Sequence, residues 1–119
     1  MKAININDRE APYTDLILDG KKTIETRSCR SLHCLIGQRV GIIRTGCGKA
    51  KLVGFVTIVD VIEYHTEDHF RSDYGKHWVD RGSTYDISDH GMKYGYALDD
   101  PQRCDPVTVT AKGIVIRNI

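Results

Sequence analysis

Three charged side chains near the start of the chain, Lys22, Glu25 and Arg27, have the types and the spacing to do chemistry. Arginine offers a planar fork of hydrogen-bond donors, and a carboxylate accepts hydrogen bonds from exocyclic amines or orients a neighbouring lysine. Lysine pairs with phosphate, or acts as a base when it is desolvated. If the three side chains are presented together in one cleft, they suit the recognition of a polar ligand. Their spacing alone also allows a salt-bridge network that only stabilises the fold.

The elements around these residues would place them on a rigid support. Apolar residues at helical spacing predict a short amphipathic helix over residues 11–19, and Gly20 stands where a left-handed C-terminal cap belongs. Alternation after the glycine predicts a strand over residues 23–27 with one face buried. Glu25 and Arg27 are two residues apart, so they share a face of that strand.

The rest of the chain predicts an α+β fold with about six strands and two short helices. Further strands are predicted around Ile4 and Ile6, over residues 39–44, 52–62 and 94–98, and over 107–109 with 113–116. Thr66 is placed to cap a second helix that extends to Trp78, and the polar stretch 80–91 is predicted to be a mobile excursion. The sheet could close into a small barrel, and residues 1–119 are expected to form one domain.

Aromatic side chains could add a stacking platform for a nucleobase. Trp78 and Tyr96 are expected in the core, because a chain of 119 residues has few other large side chains to fill it. Tyr74, Tyr85 and Tyr94 are the candidates for contact with a ligand.

The charge distribution points to a possible phosphate contact away from the first cluster. The net charge of +1 is too small to indicate nucleic-acid binding by itself, but residues 1–60 carry ten basic and six acidic residues. Arg44, Lys49 and Lys51 flank a glycine-rich loop and form the best candidate phosphate strip. An exposed hairpin that carries charge for solubility explains the same residues.

Other classes of site and setting are less well supported. His65 and His69 could share a helix face, but no second ligand pair has zinc-like spacing, so we expect no metal and no cofactor. The four cysteines form no Cys-x-x-Cys pair, and we expect reduced thiols. No apolar run approaches the roughly 20 residues that span a bilayer, and the first residues lack a signal peptide's apolar segment. These features together predict a cytoplasmic protein without membrane contact.

The chain resembles the ASCH domains, relatives of the PUA fold. Gly20, Lys22, Glu25 and Arg27 fill the four positions of the hallmark Gly-x-Lys-x-x-Glu-x-Arg. Further segments resemble the family's second strand, its long central strand and its C-terminal closure, namely residues 37–42, 52–61 and 96–98 with Pro106 and Gly113. The resemblance implies a PUA-like β-barrel with a cleft beside the hallmark motif, used by relatives for RNA, DNA or modified nucleosides.

The same resemblance implies an enzymatic alternative. One bacterial branch of ASCH-like proteins hydrolyses N4-acetylcytidine with a lysine and a threonine of the hallmark segment and a later acidic residue. Lys22 matches that lysine and Asp73 falls in a similar register to the acid, but Glu25 stands at the threonine position. A carboxylate would more readily activate water than act as a hydroxyl nucleophile.

The sequence therefore supports three functional hypotheses. The leading one is a domain that binds RNA or a nucleotide through Lys22, Glu25 and Arg27, with Arg44, Lys49 and Lys51 as further ligand-binding residues. The alternative is a small amidohydrolase for N4-acylated cytidine-type nucleosides, with Lys22, Glu25 and Asp73 as catalytic residues. In a third, the domain only contacts other proteins and the charged cluster serves stability.

Overall fold

One six-stranded sheet carries three short α-helices. In the computed structural model, which describes residues 1–89 and 91–119, the strands are β1 (Lys2–Asn7), β2 (Ile24–Arg27), β3 (Arg39–Thr45), β4 (Lys51–Tyr64), β5 (Lys93–Thr108) and β6 (Ile116–Asn118). The helices are α1 (Tyr13–Leu18), α2 (Glu67–Ser72) and α3 (Tyr74–His77), and a short 3-10 turn spans His33–Leu35.

The strands form a curled half-barrel in the order β2-β5-β4-β3-β1-β6. Only β1 and β3 are parallel neighbours, and the other pairs are antiparallel. The predicted α+β class and PUA-like sheet are confirmed. No helix in the described ranges has the length and apolar character to cross a membrane.

The two strands predicted over residues 94–98 and 107–109 are one long strand, β5. It pairs with β4 from one end to the other, whereas β2 pairs only with its first residues, Tyr94 to Ala97. Beyond Leu98, no described strand pairs with this edge of β5, and Pro101 and Pro106 lie in this half. Proline lacks the amide hydrogen that a ladder needs, and an edge without a neighbouring strand tolerates it within one continuous strand.

The helix predicted between Thr66 and Trp78 is divided into α2 and α3. Thr66 caps α2 as expected, with its hydroxyl accepting from the His69 amide at 3.1 Å. Trp78 ends α3 in the left-handed region at φ 60° and is half-buried, so its predicted place in the core is wrong. Tyr96 is fully buried, which confirms the prediction for that residue.

The polar stretch 80–91 is attached to the rest of the fold by side chains. Arg71 of α2 lies 3.1 Å from the Asp86 carboxylate, and Thr84 hydrogen-bonds Glu10. His90 lies outside the described residues, and the mobility of this stretch stays a prediction.

Both ring nitrogens of His77, at the end of α3, make hydrogen bonds to the backbone. The ring is fully buried, its Nε2 donates to the Phe70 carbonyl at 2.6 Å, and its Nδ1 accepts from the Val79 amide at 2.9 Å. This pattern requires a neutral ring, because a protonated Nδ1 could not accept. Burial lowers the pKa of His77, and the hydrogen bond to Phe70 opposes that shift.

We expect acid to weaken the fold through His77. Because its pKa is lowered in the folded state, the unfolded chain takes up the proton first, and the free energy of unfolding falls as the pH drops below about 6.5. The fall levels off below the folded-state pKa, and one group changes stability by at most about 1.4 kcal/mol per pH unit. Urea denaturation between pH 7.5 and 5 measures it. His77→Gln keeps a donor and an acceptor and should flatten the dependence of the free energy of unfolding on pH. His65→Gln, at an exposed histidine, is the control. A dependence that is flattened by His65→Gln and not by His77→Gln would contradict this account.

Candidate functional site

A pocket of about 300 Å³ opens beside the joint between α1 and β2. Its walls come from β1, α1, β2, the ends of β3 and β5, and the segments that follow α3 and β5. The lining residues are Asn5, Ile6, Asn7, Tyr13, Lys22, Glu25, Thr26, Arg27, Ser28, Thr45, Val79, Tyr85, Lys93 and Ile114. The structure thus brings Lys22, Glu25 and Arg27 to one pocket, which lies at the lower end of the roughly 300–1,000 Å³ that small-ligand sites occupy.

The turn after α1 sets the direction in which the side chains of the charged cluster point. Gly20 adopts φ 77°, the left-handed conformation expected from the sequence. The amides of Lys21 and Lys22 then both donate to the Leu16 carbonyl at 2.9 Å, which closes the helix end. The chain enters β2 directly from this closed turn. Lys22 is therefore directed inward, and Glu25 follows as the second residue of β2.

Lys22 is buried beneath the pocket, with 2% of its surface exposed. Its Nζ donates to the carbonyls of Ile24 at 2.7 Å and His77 at 2.5 Å, and lies 3.6 Å from Glu25 Oε1. Burial lowers the pKa of Lys22, and the Glu25 carboxylate opposes that shift. Unlike Glu25 and Arg27, Lys22 is therefore almost closed to solvent, and its amine links β2 to α3.

Glu25 and Arg27 face the pocket together. Glu25 Oε2 lies 3.0 Å from Arg27 Nη2, and the two side chains keep 13% and 18% of their surface exposed. Arg27 Nη2 also donates to the Asn5 carbonyl at 2.7 Å. Arg27 Nε is buried and has no hydrogen-bond partner within the described part of the chain. The ion pair is anchored at the Asn5 carbonyl and exposes only a small part of its surface to the pocket.

Tyr85 is the tyrosine that the structure brings to this pocket among the three proposed from the sequence. Its ring meets the Tyr13 ring edge-on at 6.0 Å, and burial raises the pKa of Tyr13 to about 12. Tyr74 instead donates to Asp80 at 2.6 Å, and Tyr94 packs edge-on against a histidine ring. The pocket wall therefore combines a neutral aromatic pair with the charged cluster.

Lys93 and Asn5 also line the pocket, although neither was predicted from the sequence. Lys93 is 6% exposed, and its Nζ lies 3.1 Å from Ser28 Oγ. Both residues reach the pocket through strand pairings between distant segments, β2 with β5 and β1 with β3. The one feature of the sequence that could have indicated Lys93 is its position at the start of an apolar strand.

The structure does not bring Asp73 to the pocket. It lies at the junction of α2 and α3, where its carboxylate accepts from the Tyr64 hydroxyl at 2.6 Å and lies 3.9 Å from Lys76 Nζ. Its register in the sequence resembled that of a catalytic acid, but its carboxylate turns toward Tyr64, which belongs to a buried apolar cluster with Phe70 of α2. It therefore acts on the packing of these helices and not beside Lys22.

Arg44, Lys49 and Lys51 surround a separate cavity of about 330 Å³. The β3–β4 hairpin supplies most of its wall, and Pro106 of β5 completes it. Among the described residues, none lines both cavities. The basic hairpin is thus a second surface, distinct from the pocket that holds Glu25 and Arg27.

The side chains that could bind a metal are dispersed. Within residues 1–89 and 91–119, no three His, Cys, Asp or Glu side chains are grouped so as to hold a metal ion. The cysteines are free thiols, and Cys29, Cys34 and Cys47 are exposed.

Known proteins share this arrangement of strands. The ASCH protein of Zymomonas mobilis has a solved structure with a TM-score of 0.70 and 19% identity, covering 91% of this chain and 73% of its own. A tyrosine-to-phenylalanine variant of that protein gives a TM-score of 0.69 at 20% identity, covering 91% and 75%. A serine-to-alanine variant gives 0.66 at 21%, covering 90% and 72%. At these identities the likeness shows a common fold.

The sequence comparisons bear on the family itself. None of the curated proteins matches the chain. The family model described as the ASCH domain matches residues 9–98, which is most of the chain and includes every residue of the hallmark motif. The protein belongs to the ASCH domain family.

Proposed function

We propose that the pocket beside β2 binds a nucleotide-containing ligand, with RNA as the leading candidate. The observation that carries this proposal is the Glu25–Arg27 pair, held 3.0 Å apart on the wall of an open pocket of about 300 Å³. Membership of the ASCH family points to nucleic acid or a related ligand. Such a ligand fits the cytoplasmic setting that the sequence suggests.

Each group in the pocket has a task in this proposal. The Glu25 carboxylate accepts from the exocyclic amine of a base, and the Arg27 guanidinium donates to a base or phosphate oxygen. Tyr85 offers a ring for stacking, which contributes roughly 1–3 kcal/mol per base. Lys22 acts indirectly, because its buried amine fixes the position of Glu25.

The basic hairpin would extend the contact along a strand of RNA. In this role the hairpin would not distinguish one RNA sequence from another, because its residues Arg44, Lys49 and Lys51 would contact phosphates and not bases. Their contribution would be electrostatic and would weaken as salt rises.

We expect Arg27→Met and Glu25→Gln each to weaken the binding of single-stranded RNA about 10- to 100-fold, the equivalent of losing one charged hydrogen bond of roughly 1.5–3 kcal/mol. Fluorescence anisotropy with a labelled oligonucleotide measures the affinity. Arg39→Met and Glu63→Gln are matched controls, because neither residue lines the pocket. Equal losses in the controls would contradict the proposal, and wild-type protein that binds no RNA would leave the cluster with a structural role.

We expect the basic hairpin to govern the salt dependence. Replacing Arg44, Lys49 and Lys51 together with methionine should reduce the slope of log affinity against log salt by about two, since each phosphate contact to a single strand contributes roughly 0.7. Affinity measured between 50 and 300 mM salt gives the slope. An unchanged slope would show that RNA does not reach the hairpin.

Hydrolysis of an N-acylated nucleoside is a second candidate, favoured by the buried amine of Lys22 beside Glu25. Two backbone carbonyls and Glu25 surround that amine and leave it no room to contact water. Glu25 is therefore better placed than Lys22 to activate water. Glu25 would take a proton from water while the water oxygen attacks the acyl carbon. The C–N bond would then break, and the proton would pass to the departing amine. Asp73, assigned an assisting role from the sequence, does not line the pocket, and its carboxylate accepts from the Tyr64 hydroxyl, so it has no step in this scheme.

We expect any such activity to depend on Glu25 and not on Asp73. Incubation with N4-acetylcytidine, followed by ultraviolet absorbance, should show turnover by wild type and Asp73→Asn but not by Glu25→Gln. No turnover by wild type, in conditions where a relative with this activity works, would exclude hydrolysis of this substrate. Loss of turnover in Asp73→Asn with an intact fold would restore the role assigned from the sequence.

A further inference from the structure

Lys93 has an environment that its neighbours in the pocket do not share. The antiparallel register that pairs Arg27 with Tyr94 places Lys93 opposite Ser28, one step beyond the last pair. Its Nζ lies 3.1 Å from the Ser28 hydroxyl, the one hydrogen bond that the amine makes within the described part of the chain. An ammonium group has three donors, so two remain for a ligand.

The Lys22 amine has no donor left for a ligand. Its donors are directed to two backbone carbonyls and to Glu25. Both lysines are more than nine-tenths buried, but only Lys93 lacks a close carboxylate. Of the two amines in the pocket, Lys93 is therefore the one available for binding.

The charges around the pocket do not balance. Three basic side chains and one carboxylate line it, and that carboxylate, Glu25, is already shared between Lys22 and Arg27. Burial of an unpaired charge is costly, and burial lowers the pKa of Lys93 against the opposing effect of Glu25 and Asp86. A bound anion would compensate this charge, and Arg27 Nε is a further donor without a partner in the described chain.

We propose that Lys93, held by Ser28, forms a phosphate-binding subsite in this pocket, so that the ligand is a nucleotide and not a neutral nucleoside. Phosphate oxygens accept the short, charge-assisted hydrogen bonds that an ammonium donates. The phosphate belongs either to a mononucleotide or to an internucleotide linkage of RNA, since both present the same oxygens. This proposal rests on the proposed nucleotide-binding function of the pocket.

Calorimetric titration tests the subsite. The probes are the four ribonucleosides, their 3′- and 5′-monophosphates and a short single-stranded RNA. For wild type we expect at least one monophosphate, or the RNA, to bind more than tenfold tighter than the corresponding nucleoside. Lys93→Met should remove that advantage. Lys76→Met, at an exposed lysine outside the pocket, is the matched control and should behave as wild type.

The outcomes separate the two proposals. If the monophosphates show the Lys93-dependent gain, the phosphate is that of a free nucleotide, and if only RNA shows it, the phosphate is internucleotide. Nucleosides that bind as tightly as every phosphorylated probe would overturn the subsite and leave the proposed function intact. No binding of any probe would overturn both. Should Lys93→Met fail to fold, Ser28→Ala must reduce the phosphate advantage, and an unchanged advantage would count against the subsite.

Discussion

The pocket depends on the buried ammonium group of Lys22. A charge with 2% exposure is tolerated only where hydrogen bonds replace water, and here two backbone carbonyls and the Glu25 carboxylate do so. One of those carbonyls belongs to β2 and the other, that of His77, to the end of α3. The amine therefore fixes the distance between a strand and a helix that are far apart in sequence.

This constraint divides the charged cluster into a buried part and a part that faces the pocket. Lys22 is structural by its contacts, whereas Glu25 and Arg27 keep part of their surface open to the pocket. The ion pair is rigid because its inner side is anchored, through Lys22 for Glu25 and through the Asn5 carbonyl for Arg27. A rigid pair of opposite charges at a pocket wall loses little entropy on binding a polar ligand.

Local chemistry made part of this predictable. Gly20 and Thr66 mark a helix end and a helix start through their own backbone or side-chain preferences, and both were placed correctly. The three charged residues of the cluster lie within six positions, so their convergence needed only the turn and one strand. Their burial could not be predicted in the same way, since the helix that covers Lys22 comes from 55 residues further along the chain.

The remaining features arise from pairing between distant segments. Lys93 enters the pocket because β5 pairs with β2, and a single sequence does not specify that partner. Asp73 had a suitable position in the sequence but turns to the Tyr64 hydroxyl, because α2 and α3 pack on their own apolar cluster. β5 was predicted as separate strands but is one, and its two prolines lie along an edge with which no described strand pairs.

The central claim is that a nucleotide-containing ligand occupies the pocket over Lys22. Mapping of amide chemical shifts by nuclear magnetic resonance, during titration with single-stranded RNA, tests it most directly. The account predicts saturable shifts that centre on residues 22–28, Val79, Tyr85 and Lys93. Shifts confined to the hairpin of residues 44–51, or no saturable shifts in the pocket, would contradict it.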